Sequence, residues 1–147
     1  MSELKEYKFR IMGKVKAKQS VKFGRNGVKY TPDDMVNYAN WVKLAFKKEY
    51  PEHLPHELDG FNLGIKLDVY FKYPAYIEKS SKKLKLAEDK ILRPTVKPDW
   101  DNISKNICDA LNGLAYTDDK AIVDGSVHKY YSKYDYVDVT LTGRRYL

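Results

Sequence analysis

The 147 residues, 43% of them hydrophobic, suit one globular domain of ordinary size. Cys108 is the only cysteine, which excludes an intramolecular disulfide, a CxxC redox pair and a thiolate zinc cluster, so any metal must sit on oxygen or histidine. The net charge is +7, no run of about 18 apolar residues exists and the first ten residues are charged, which predicts a soluble, cytoplasmic protein without a membrane span or secretory signal.

The charge surplus lies wholly in the basic segment 1–30, where Lys5, Lys8, Arg10, Lys14, Lys16, Lys18, Lys22, Arg25 and Lys29 face only Glu3 and Glu6. Residues 99–124 do the reverse, with Asp99, Asp101, Asp109, Asp118, Asp119 and Asp124 against Lys105 and Lys120, a net −4. A basic arm and an acidic knot suggest polyanion binding plus a cation site. A solvated strand pair that aids solubility is the plain alternative for the arm.

Tyr7, Phe9 and Ile11 alternate with Lys8 and Arg10, the period of a strand with one buried face. Gly13 to Lys22 either continues that strand or pairs back on it, and Asn26-Gly27 predicts a hairpin or loop between Phe23 and Val28. Thr31-Pro32-Asp33-Asp34 reads as an N-cap, a proline at the first helical position and acids in the first turn. Met35, Ala39, Val42 and Phe46 then form one apolar stripe, and Pro51 stops the helix. Phe61, Leu63, Ile65, Leu67, Val69 and Phe71 alternate without a break and predict the central strand.

Ile77 to Lys97 is lysine-rich with no clear period, which predicts a mobile basic surface loop. Asn102 to Leu111 carries Ile103, Ile107, Ala110 and Leu111 on one face and ends at Asn112-Gly113, a second helix. Val123–Tyr131 and Tyr136–Thr142 predict a closing antiparallel pair. The sum is an α+β domain over 1–147, with a small mixed or antiparallel sheet and two main helices over one face.

Lys97-Pro98-Asp99-Trp100-Asp101-Asn102 places two carboxylates just before a helix, on one side if the stretch is extended. Asp101 or Asn102 as a helix cap would contribute about 1 kcal/mol, but a cap does not explain the second pair, Asp118-Asp119. A ten-residue helix spans roughly 15 Å, so the pairs meet only if Leu114 to Thr117 turns back. Were Asp99, Asp101 and Asp119 to converge, a cation would have to neutralise them, and oxygen-only ligands select Mg²⁺ or Mn²⁺. Such a metal can generate hydroxide and neutralise charge on a phosphodiester. Lys105, four residues past Asp101, can pair with an acid or reach the scissile phosphate, and Asp109 can hold Lys105 in place. Two Asp-rich surface turns without a metal are the alternative.

Lys97 to Val123, KPDWDNISKNICDALNGLAYTDDKAIV, closely resembles the signature of RusA-type Holliday junction resolvases. That pattern is a KPDxDN box, a lysine four residues beyond its second Asp, a DALNG turn, and a DD pair before a short apolar strand. Weaker likeness covers the basic N-terminal segment, Tyr30-Thr31-Pro32, the central strand and Val127-x-Lys129-x-Tyr131. The resemblance implies a homodimeric, Mg²⁺-dependent endonuclease that cuts four-way DNA junctions symmetrically, often encoded by phages or prophages. It implies Asp99, Asp101 and Asp119 as metal-binding carboxylates, Lys105 as the active-site lysine, and Asp118 as a further acid. The family's KxRPR-like basic stretch is replaced here by Lys16 to Lys22 without its proline and arginine, which bears on junction selectivity.

Lys14, Lys16, Lys18, Lys22 and Arg25, with Lys79, Lys82, Lys83 and Lys85, are the expected phosphate contacts. No base-edge reader stands out, so recognition of branched shape is expected. The rival readings are a non-catalytic DNA-binding accessory protein and a metal nuclease for other branched or single-stranded DNA. Among weaker signals, His53-Leu54-Pro55-His56 lacks a third metal ligand and reads as a loop. The tyrosines read as packing or a dimer contact rather than base stacking. Cys108 reads as a small buried residue, and Trp100 as core, dimer contact or junction wedge.

Overall fold

A computed structural model describes residues 1–16, 22–23, 29–30 and 33–147, with backbone alone for 22–23, 29–30 and 33–36. β1 (Ser2–Met12) buries Tyr7, Phe9 and Ile11 and exposes Lys8 and Arg10, as its alternation requires. It runs antiparallel to β6 (Tyr136–Tyr146), with Tyr7 opposite Leu141, Phe9 opposite Val139 and Ile11 opposite Val137. Apolar pairs of this kind contribute roughly 0.2–1 kcal/mol each. β2 (Lys22–Phe23) pairs antiparallel with β3 (Lys29–Tyr30), as a hairpin needs, while the Asn26-Gly27 turn lies outside the described residues.

α1 (Asp33–Glu49) follows; its Thr31-Pro32 start and the Met35 side chain lie outside the described residues. Tyr38, Val42 and Phe46 form its buried stripe, and the Phe46 ring meets Phe9 edge-on at 5.4 Å. β4 (Asn62–Lys72) buries Leu63, Ile65, Leu67, Val69 and Phe71 on the face that α1 covers together with α4 (Trp100–Leu111). From α4, Ile103, Ile107, Ala110 and Leu111 complete this core, and the helix ends at Gly113 with φ 73°, a left-handed turn that glycine adopts readily.

Two expectations are corrected. The predicted loop 77–97 takes in the end of α2 (Ala75–Glu78) and all of α3 (Ser81–Glu88), and its longest irregular stretch is its later part. Ser80 caps α3 by accepting the Lys83 N–H, and the buried side of the pair is little more than Ile77 and Ala87. So short an apolar stripe leaves no period among the lysines. Secondly, β5 (Ile122–Ser132) and β6 are not paired with each other.

The sheet order is β1-β6-β4-β5, with β4 parallel to β5 and antiparallel to β6. A neighbour two strands away is about 9.6 Å distant, and the four steps from Ser132 to Tyr136 reach roughly 13 Å. The short connection therefore straddles the end of β4, where Asp135 Oδ1 accepts the Lys72 N–H at 2.8 Å and the Ser132 carbonyl accepts the Tyr73 N–H at 3.0 Å. Alternation tells which face of a strand is buried but not which strand lies beside it. The α+β class with a four-stranded mixed sheet is as expected.

The sheet face opposite α1 and α4 carries Tyr70 stacked on Tyr136 at 4.4 Å. Arg10 lies over Tyr136 and is paired with Asp138 at 2.7 Å. Among the described residues, no helix is long and apolar enough to cross a membrane.

Candidate metal and DNA site on helix α4

Pro98 is buried and follows a cis peptide bond, and the chain then turns into α4 at Asp99, the N-cap residue. The Asp99 carboxylate makes no side-chain capping bond, so helix capping does not account for it, although its carbonyl accepts the Ile103 N–H at 3.0 Å. The helix begins at Trp100 rather than at Asn102, so Asp101 sits in its first turn and the pair is not extended as expected. Both aspartates nonetheless line one open cleft of about 470 Å³, with Lys97, Trp100 and Lys129 among its other walls. Trp100 is 69% exposed, which removes the core reading for it.

Lys105 Nζ approaches Asp101 Oδ2 at 3.9 Å, one helical turn on, as the spacing predicts. Both groups are at least half exposed, so the pair contributes little to stability.

Lys129, which the sequence marked only as part of a strand, is the residue the expected site lacked. It lies on β5 at the inward parity shared by Val127 and Tyr131, where Leu67, Val69 and Phe71 are its neighbours on β4. Its Nζ donates to the Val96 carbonyl and stands over the Phe71 ring. Burial holds its ammonium below the ordinary value, against the opposing pull of the Asp99 carboxylate. A lysine at an inward strand position was the available signal.

Asp118 and Asp119 stand elsewhere. The chain does turn back after α4, through the Gly113 N–H to the Tyr116 carbonyl at 2.8 Å, but it returns to the C-terminal end of the helix. There Asn112 Oδ1 accepts the Asp119 N–H at 2.9 Å. Asp118 Oδ1 accepts the Lys120 N–H at 2.9 Å, and that bond leads the lowering of the Asp118 carboxyl. The Asp119 carboxyl is raised by burial, then by a hydrogen bond with Asp118 and by the charges of Asp109 and Asp118. Asp101, Lys105, Asp109 and Asn112 recur along one face of α4, so about 12 Å of helix separates Asp101 from Asp109. The acids thus form two groups along that face. Among the described residues, no cluster of three His, Cys, Asp or Glu side chains is arranged to hold a metal.

The basic residues divide similarly. Lys14 lines a cavity beside Tyr73, and the Lys16 carbonyl accepts from Asn106 Nδ2 at 2.7 Å, which ties the basic arm to α4. Lys18 and Arg25 lie outside the described residues, and Lys22 is described by backbone alone. Lys79 follows α2, and Lys82, Lys83 and Lys85 are exposed on α3 rather than on a loop, with Lys85 paired to Asp89 at 3.2 Å.

The other histidine and cysteine signals are structural. His53 Nε2 lies 2.7 Å from the Ala115 carbonyl, its Nδ1 3.2 Å from Glu57, and its ring against Tyr7. Burial pushes the Cys108 thiol up to about 11, so it is not a reactive thiolate at neutral pH.

Residues 10–142 match the family model described as Endodeoxyribonuclease RusA. A Bacillus subtilis (strain 168) relative, Uncharacterized protein YqaN, is 40% identical over 111 residues, covering 72% of this chain and 78% of the relative. With the acidic motif on α4 and nearly the whole chain inside that match, this protein belongs to the RusA endodeoxyribonuclease family.

Proposed function

We propose that this protein is a metal-dependent endonuclease that resolves four-way DNA junctions by paired, symmetric incisions. The observation that carries the reading is the shared cleft of Asp99 and Asp101 at the start of α4, inside the family match. The donor set fits Mg²⁺, or Mn²⁺ in its place: both ligands are hard carboxylates, and Mg²⁺ characteristically uses one or two carboxylates, several waters and the substrate's phosphates rather than an all-protein cage. Asp118 and Asp119 offer a second group of oxygens beside the C-terminal end of the same helix, where like charges crowd Asp119.

Held by Asp99 and Asp101, such an ion would supply charge neutralisation at the phosphodiester and an acidified water. The rest falls to side chains of this chain. Lys129, which lines the cleft, and Lys105, paired with Asp101 beside it, stabilise the charge that develops on the phosphate. The first turn of α4 turns its backbone N–H groups and positive dipole end toward the same place. Lys14, Lys16, Lys18, Lys22 and Arg25, with Lys79, Lys82, Lys83 and Lys85, bind backbone phosphates further out. Two symmetric cuts need two such sites, so the active species is a homodimer.

The test is competition between a labelled four-way junction and a matched linear duplex under Mg²⁺. Paired nicks confined to the junction support the reading, whereas equal cutting of junction and duplex, or preferential cutting of a flap or single strand added to the competition, assigns a metal nuclease of another specificity. The separation of the acids into two groups favours one further alternative, a DNA-binding accessory protein, for which tight junction binding without cutting in any divalent metal is the signature.

A further inference from the structure

Beside the metal cleft, and sharing Val96 with it as a wall, is a second cavity of about 310 Å³ at the C-terminal ends of the parallel strands β4 and β5. Its lining is aromatic, with Phe71, Tyr73, Tyr76 and Tyr131, and Lys14 and Lys72 stand at its edge. The Tyr73 and Tyr131 rings lie 6.3 Å apart at 35°, a splayed pair rather than a closed stack. Burial, with the neighbouring Tyr76 hydroxyl adding to it, pushes the Tyr131 phenol up to about 12, so the ring faces the cavity uncharged.

Tyr76 is 57% exposed and has Lys83 Nζ 5.1 Å from its ring centroid. Asp135 closes one end while accepting the Lys72 N–H. The proposed function uses none of these rings.

We propose that this cavity is a slot for one unpaired nucleobase, taken from the strand whose phosphate lies in the adjoining Asp99–Asp101 cleft. The size is at the low end of small-molecule pockets, enough for one planar ring system but not for a run of stacked bases. Aromatic faces accept any base, because every base has a π-face, while lysines along the rim hold the backbone. Charge points to a polyanion: Lys14 belongs to the arm that carries the chain's whole surplus, and Asn106 anchors that arm two residues further on. A base can enter only when it is unpaired, as at a branch point, so the slot favours opened DNA over intact duplex.

The placement beside the cut site rests on the junction-cutting reading; the affinity of the slot for an unpaired base does not. The test therefore uses a single-stranded oligonucleotide carrying 5-iodouracil, with uncut duplex as control and Asp101→Asn protein to keep DNA intact. Irradiation is expected to cross-link the base to Tyr73, Tyr76 or Tyr131, mapped by mass spectrometry. Tyr76→Ala, at an exposed position that leaves folding intact, is expected to weaken single-strand binding about tenfold and duplex binding less than twofold, while Tyr76→Phe binds as the parent does.

Cross-links confined to other tyrosines, such as the Tyr70–Tyr136 stack, overturn the slot, and so does an equal loss on single strand and duplex. A protein that cuts junctions but fails these tests keeps its function and loses the slot. One that captures the base yet cuts nothing keeps the slot and loses the function.

Discussion

Lys129 Nζ donates to the backbone carbonyl of Val96, so strand β5 holds down the strap that leads into Asp99. The same ammonium lines the cleft that Asp99 and Asp101 share. Lys129→Met keeps much of the stem's packing on Phe71 but releases the strap, and junction cleavage is expected to fall about 10- to 100-fold, the range for groups that orient a metal ligand. Lys129→Arg should recover part of the rate, and junction affinity should change far less than turnover. Cleavage by Lys129→Met at the parent rate removes the residue from the site.

Asn106 is the buried polar side chain on α4, and its amide reaches the Lys16 carbonyl. Asn106→Ala should cost about 1 kcal/mol of stability and free the basic arm from the helix. Junction affinity is expected to fall while the thermal transition moves by only a few degrees, measured by filter binding and calorimetry on the same preparation. Unchanged affinity would show that the arm binds DNA without this anchor.

The Asp119 carboxyl is raised above its ordinary 3.8 by burial and by its acidic neighbours, so the folded state favours its neutral form. Its contribution is therefore present below the ordinary value and lost as pH rises through the folded one. Asp119→Asn keeps a neutral side chain at every pH. Urea midpoints should show the variant more stable than the parent near neutrality, with the gap closing toward about pH 3. A parent that is the more stable near neutrality contradicts the crowding of Asp109, Asp118 and Asp119.

Lys82 is exposed on α3. If it touches a phosphate, Lys82→Ala lowers the slope of log affinity against log salt by about one, equally for any DNA sequence. An unchanged slope removes α3 from the DNA-binding surface.

The buried faces of β1, β4 and α4, and Val42 and Phe46 on α1, were legible because each repeats its period, whereas the buried Tyr38 fell outside the expected stripe. α3 was not, because Ile77 and Ala87 are a small apolar signal among lysines. The neighbour of β5 was not, because Val127 and Tyr131 face inward whether β4 or β6 lies beside them. For the candidate site, the motif put Asp99, Asp101 and Lys105 around the start of α4, and the fold brings them together there. The motif did not reveal that Asn112 holds Asp119 at the far end of that helix, since a side-chain acceptor for a backbone N–H seven residues away leaves no pattern. Lys129 escaped for the opposite reason: it belongs to the strand that the resemblance marked, but only the folded sheet brings it to Asp99.

Cleavage and binding of a labelled four-way junction by the parent and by Asp101→Asn, each with Mg²⁺ or with EDTA, test the nuclease reading most directly. Paired symmetric nicks by the parent, abolished by EDTA and by Asp101→Asn while the variant still binds the junction, are expected. Nicks that persist in Asp101→Asn, or tight binding by the parent without a nick in any divalent metal, contradict it.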